Sequence, residues 1–310
     1  MSAPQSAPQS APKIDVGYAL PWGGGPLQTL LERRLPAHGI SAPCSLDRCW
    51  GPAHYRLDQV GAFQRATPAQ RREVLAGCAR GYLLEAYFIE KAGVSYAAKM
   101  ILLAERAEER SLYAVFAAEE ASHLAALQAS LGPVDEGSWR ANPFLELLEQ
   151  IIVEADREVG QLIIQVALEG WSLMHYAQLR DACEEPALRA LLGQIVADEA
   201  AHHGSGVQLL RDVSLSARQQ AQAVELLGEM LRLVQLGPLL IVGTLERALG
   251  GFSGAERAQV YRELDREGHI RARLEKLQRC LRKVDAAQPV LDALTARGAF
   301  TVPSAPSPTL

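Results

Sequence analysis

"FAAEEASHLAA" at residues 116–126 and "VADEAAHHGSG" at residues 196–206 write one arrangement twice: two acids, two small residues, then a histidine. The acids are Glu119 and Glu120 before His123, and Asp198 and Glu199 before His202. Residues three apart share a helix face, because a turn takes about 3.6 residues. Glu120 can therefore converge with His123 on one point, and Glu199 with His202. A carboxylate oxygen beside an imidazole nitrogen is a donor pair for a divalent transition metal. Two such helices facing each other would hold two metals a few ångströms apart.

The similarity extends outward. Residues 105–124 lie over residues 184–203, turn against turn and His123 against His202, and "LLEAYFIEKAG" and "VALEGWSLMHYA" precede them. Each metal needs further carboxylate from the preceding helix of its hairpin. In the second hairpin Glu169, set among apolar residues, lies 30 residues before Glu199 with the turn midway. In the first, Glu90 lies 30 residues before Glu120 and repeats that geometry. At about 100° per residue, Lys91, Ser95 and Lys99 mark the wet face and Glu90 falls opposite. Glu85 is the alternative, because "LEAYF" parallels "LEGWS"; Glu90 is favoured. An unpaired carboxylate in an apolar stretch is costly, and ligation of a metal removes that cost.

Composition agrees with a helical protein. The chain has 310 residues, 48% hydrophobic and 6% aromatic, and is rich in residues that lose little rotamer freedom in a helix. Its net charge of −5 forms no basic stripe, so nucleic acid is not an expected partner. The longest apolar run, 236–243, is too short for a bilayer, and no secretory signal pattern opens the chain. Five scattered cysteines without a CxxC pair suggest free thiols and a cytoplasmic location.

The expected fold class is all-α, with no persistent strand alternation. Residues 1–13 read as a disordered low-complexity tail. Residues 14–66 read as an irregular Gly/Pro-rich arm with one helix at 26–35, 67–285 as the helical domain, and 286–310 as a C-terminal tail. Within the domain, Thr67 caps a helix with Pro68 in its first turn, running to about 104. Further helices are expected at 107–130, at 143–182 with a break near Gly160, and from Pro186 to about 203, where "HGSG" ends it. Two more follow at 216–249, interrupted at Gly237-Pro238, and at 254–283. Two hairpins joined by a crossover at 131–157 have the connectivity of a four-helix bundle with one long crossover, plus extra C-terminal helices.

Over residues 75–205 the chain resembles the ferritin-like di-iron carboxylate superfamily. "EEASH" and "DEAAH" are similar to the EExxH and DExxH helices of bacterial multicomponent monooxygenases and soluble acyl-carrier-protein desaturases. The resemblance implies Glu90, Glu120, His123, Glu169, Glu199 and His202 as metal ligands and catalytic residues. It implies Glu119 and Asp198 as acids behind them, with Asp198 accepting a ligand histidine's free N–H. The radical tyrosine of ribonucleotide reductase small subunits is replaced by Leu127. The extra histidine of arylamine N-oxygenases is replaced by Ile195, and the four-cysteine domain of many rubrerythrins is absent.

The function this implies is a di-iron oxidoreductase, a monooxygenase or oxidase, with two Fe ions (Mn also accepted) and O2 as co-substrate. Its substrate would be a small apolar acyl, aldehyde or amine compound, its partner an external electron donor such as a reductase or ferredoxin, and its assembly a homodimer. Leu83, Ala86, Phe116, Val166 and Leu173 are candidate pocket lining. A ferroxidase without an organic substrate is the alternative. His175 reads as a core or surface histidine, His203 as outward-facing, and Tyr82, Tyr87, Tyr96 and Tyr113 as packing residues.

Overall fold

A computed structural model of the chain describes residues 15–22, 25–35, 43–236, 238–264 and 268–302. The tail at 1–13, the "PSAPSPTL" end at 303–310 and Gly237 lie outside the described residues. Among the described residues every regular element is helical and none is a strand. No single helix among them is long and apolar enough to cross a membrane.

Short helices α1 (Pro26–Glu32) and α2 (Gly61–Arg65) belong to the N-terminal arm. The long helix α3 (Pro68–Leu103) starts at a reciprocal cap: the Gln70 N–H donates to the Thr67 hydroxyl, and the Thr67 N–H donates to the Gln70 side chain. After three residues the chain returns as α4 (Ala107–Leu131), packed along α3. The crossover carries α5 (Pro143–Glu154), capped by the Asn142 side chain with Pro143 in the first turn.

The second hairpin begins with α6 (Arg157–Gly160), which widens into π-helical turns over Gln161–Glu169 and continues as α7 (Gly170–Ala182). All nine residues of the wide segment are buried. The break expected near Gly160 therefore falls at Ala155-Asp156, and Gly160 marks a change of helix type instead. Helix α8 (Pro186–Leu209) returns along α7 and also touches α4. It does not stop at "HGSG" but runs through it. Gly206 lies where a Cβ would come within 2.5 Å of the Gln165 Cβ, so its bare backbone is what lets α8 press against the π segment.

Helices α9 (Ala217–Gln235) and α10 (Leu239–Leu249) flank the expected interruption. The single helix expected at 254–283 is two, α11 (Gly254–Leu264) and α12 (His269–Leu281), and Gly268 at φ 72° caps the second. Helix α13 (Gln288–Ala296) lies within the stretch expected as tail. It buries Val290, Leu291 and Leu294 against α9, so the packed structure continues past residue 285.

The wet face expected on α3 is covered, which corrects that reading. Lys91 is buried; its ammonium donates to the Tyr18 and Leu20 carbonyls and pairs with Glu136. The Ser95 hydroxyl donates to the Val16 carbonyl, and Lys99 donates to the carbonyls of Ile152 and Ala155 at 2.7 Å each. Arm and crossover carbonyls replace water there, which keeps the long side chains hydrogen-bonded under a protein layer.

Candidate metal centre

Four helical segments bring the acids and histidines together. Glu90 comes from α3, Glu120 and His123 from α4, Glu169 from the end of the π segment, and Glu199 and His202 from α8. All six are buried. Glu90, Glu120 and His123 each place one donor atom within 4.8 Å of the others, and so do Glu120, Glu199 and His202. Glu120 is common to both triads. Gly93 makes room for it on α3, since a Cβ there would lie 2.4 Å from Glu120 Oε2.

The first acid of each motif has a different task from the second. His123 points Nδ1 at Glu90 Oε2 (3.1 Å) and Nε2 at Asp198 Oδ2 (2.9 Å). His202 points Nδ1 at Glu120 Oε1 (3.3 Å) and Nε2 at Glu119 Oε2 (2.9 Å). Glu119 of α4 thus braces the histidine of α8, and Asp198 of α8 braces the histidine of α4. With Nε2–H donated outward, each imidazole presents a bare Nδ1 lone pair inward whenever it is neutral. Gln194 Nε2 in turn donates to Asp198 at 2.9 Å. The repeated acid-acid-small-small-His pattern is therefore a pair of donor sets cross-braced between two helices.

Glu169 stands outside both triads but faces the same cavity as Glu120, Glu199 and His202. Its Oε2 is buried without a hydrogen-bond partner, which costs free energy. Glu85, the alternative, is elsewhere: it is half-buried and accepts a 2.7 Å hydrogen bond from Asn142 Nδ2.

The charges are frustrated without a cation. Burial, with Glu90 and Glu199 nearby, holds Glu120 well above the ordinary carboxylate range. Burial and the charges of Glu199 and Glu90 do the same to Glu169. Burial and Glu90 raise Glu199 to about 8, against the pull of His123. Burial also pushes Glu90 upward, but His123 outweighs it and holds Glu90 below its usual value. His123, despite burial, is lifted to about 9 by Glu90 and Asp198. Burial lowers His202, against the pull of Glu119. Protons do in the metal-free chain what cations could do in a loaded one.

Several supporting groups went unread in the sequence. Tyr176 donates to Glu90 Oε1 at 3.3 Å; its place two turns after Glu169 is the signal that could have found it. Gln165 accepts from Tyr96 (3.1 Å) and Tyr113 (2.7 Å) and donates to the His202 carbonyl (3.3 Å). His203 is buried, not outward-facing: Nδ1–H donates to the Gln165 carbonyl (3.0 Å) and Nε2 accepts from Lys283 (2.9 Å). The added C-terminal segment covers the face that a bare hairpin would leave wet.

A cavity of about 580 Å3 adjoins the acids. Of the expected lining, Ala86 and Phe116 reach it, whereas Leu83 and Val166 are buried core and Leu173 lies outside. Leu236, Pro238 and Leu239, beside the break between α9 and α10, also line the cavity. All five cysteines are free thiols.

The cross-braces predict a graded effect. If the triads hold divalent cations, Asp198→Asn or Glu119→Gln is expected to leave the fold intact and weaken that binding about 10–100-fold, measured by competition with a chelator. Unchanged affinity in both variants would remove their orienting role. No protein-family model matches the chain, and neither a curated protein nor a solved structure matches it.

Proposed function

We propose that the chain is a ferritin-like di-iron oxygenase or oxidase that oxidises an apolar organic compound with O2. The observation that carries this is two buried carboxylate–histidine triads sharing Glu120. The donor chemistry fits two divalent cations: Glu90, Glu120, Glu169 and Glu199 carry four negative charges when ionised, which two such cations balance, and the orphaned Glu169 oxygen gains a partner. Mixed carboxylate and imidazole donors suit iron and also manganese. Bound iron(II) would supply the electrons that activate O2.

The chain's own residues would do the rest. Glu90, Glu120 and His123 would hold one cation, and Glu120, Glu199 and His202 would hold the other. Glu119 and Asp198 hold the imidazoles in orientation, and Tyr176 holds Glu90. Phe116, packed on the His202 ring at a centroid distance of 4.0 Å, excludes water from that side. The largely apolar cavity wall supports an organic substrate over iron as substrate, which would need a polar entry path. The hairpin pairing and long crossover support the ferritin-like assignment.

Anaerobic loading with iron(II), elemental analysis and then exposure to O2 tests the reading. The expected result is two irons per chain and O2 consumption of defined stoichiometry with a transient visible absorption. Mineral growth would favour a ferroxidase, and failure to retain iron or manganese would overturn the proposal.

A further inference from the structure

The cavity has a second polar end that the metal-centre reading leaves unused. Glu120, Glu169, Glu199 and His202 line one part of it, and Tyr82, Glu85, Asn142, His175 and Arg273 line another. Arg273 comes from α12, which packs against α7 and the π segment. It is half-buried, and among the described residues it makes no hydrogen bond or ion pair. A guanidinium partly withdrawn from water in a largely apolar chamber, near Glu85 but hydrogen-bonded to no carboxylate, lacks the paired acceptor its planar fork is built for.

Helix register sets the separation between the two ends. On α3, Tyr82 and Glu85 precede Glu90 by eight and five residues, or about 8–12 Å at about 1.5 Å per residue. On α7, His175 follows Glu169 by six residues, or about 9 Å by the same rise. The wall between carries Ala86 and Ile89 from α3 and Trp171 and Ser172 from α7. Two helices thus measure the same span.

We propose that Arg273 anchors the carboxylate of an apolar-bodied carboxylic acid, whose body runs along this wall and whose far part lies against Glu120, Glu169 and Glu199. His175 stacks on Trp171 and meets Tyr82 edge-on, which fixes it beside the anchor. Burial and the Arg273 charge drive its pKa down to about 3, so it is neutral and adds a hydrogen bond without a second charge. Glu85 shares this end, where its Oε2 accepts from Asn142 and burial raises its pKa against the pull of Asn142 and Arg273. That the anchored acid is the substrate rests on the function proposed above, whereas the anchor itself does not.

The test is calorimetric titration of the full chain with decanoate, 1-decanol and decylamine, on metal-depleted and iron-loaded samples whose iron is measured. Wild type is expected to bind decanoate about 10–100-fold more tightly than decanol, with decylamine weakest. Arg273→Gln is expected to erase the preference while decanol binding persists, which also reports a folded cavity. Arg273→Lys is expected to recover part of it. Equal affinity for decanoate and decanol, tighter decylamine, or a preference that survives Arg273→Gln would overturn the anchor. A preference seen only with iron and insensitive to Arg273 would place the carboxylate on the metals, again against the anchor. Loss of iron binding with the Arg273-dependent preference intact would instead sink the metal reading alone.

Discussion

Glu120→Ala is expected to abolish iron binding at both positions, whereas Glu90→Ala and Glu199→Ala each disturb mainly one. The asymmetry follows from geometry: Glu120 belongs to both triads, while Glu90 and Glu199 belong to one each. Removing a shared carboxylate takes a donor from each position and also the negative charge that would hold two cations near one another. Elemental analysis after anaerobic loading should fall from two irons per chain to about none for Glu120→Ala and to about one for either single-triad variant. The fold should survive, because the substitution removes a buried acid that burial and its neighbours Glu90 and Glu199 already disfavour as an anion. Iron retained in full by Glu120→Ala would refute a shared ligand, even if the two metals were real.

The metal-free chain is expected to lose stability as pH rises from 6.5 to 8.5, and iron loading is expected to flatten that slope. Glu199 sits at about 8, against an ordinary value of 4.5, so the folded state keeps a proton that the unfolded chain has released. Such a group stabilises the fold below its unfolded value and loses that contribution as pH climbs through about 8. His123, raised to about 9, acts in the same direction: its contribution is complete below 6.5 and fades above it. Glu120 and Glu169, also raised, add to the trend. Cys44, lowered from 9.0 by its hydrogen bond with Cys49, and Lys99, lowered from 10.5 by burial, oppose the trend as pH rises, and other opposing groups act at lower pH. Burial lowers His54 to about 4, and burial with the charges of Arg273 and His54 lowers His175 to about 3, so both oppose stability only as pH falls below 6.5. The melting temperature of the metal-free chain should therefore drop by roughly 5–10 °C between pH 6.5 and 8.5. With iron bound, cations replace the protons and the drop should shrink, while loading itself should release protons and tighten with pH. A flat metal-free profile would show that the acids do not crowd one another as the geometry requires.

The legibility of this chain divides along physical lines. The Thr67-Pro68 start of α3, the Asn142-Pro143 start of α5 and the "EEASH" and "DEAAH" faces are local: a few neighbouring residues and the helical repeat decide them. The preference for Glu90 over Glu85 rested on equal spacings of 30 residues on each hairpin, and the structure sets Glu90, not Glu85, beside Glu120 and His123. Reading failed where distant segments meet. Lys91, Ser95 and Lys99 carry the polarity of a solvent face, yet carbonyls from residues more than 50 positions away bury that face. His203 lies about 100° from His202 and so looks outward on an isolated helix, but Lys283 and the π segment enclose it. "HGSG" carries stop signals, yet the helix runs through it, and the bare Gly206 backbone packs closely against Gln165.

By itself the sequence determined an all-helical chain, with paired acid-and-histidine faces on two hairpins. Periodicity and capping are properties of adjacent residues, and they survive without tertiary context. Only the tertiary structure decided that Glu120 serves both triads, that Glu119 and Asp198 cross to the other helix's histidine, and that Arg273 looks into the same cavity. Those relations join side chains 75 or more residues apart, or set α12 against α7, and no repeat along the chain encodes how two helices face each other.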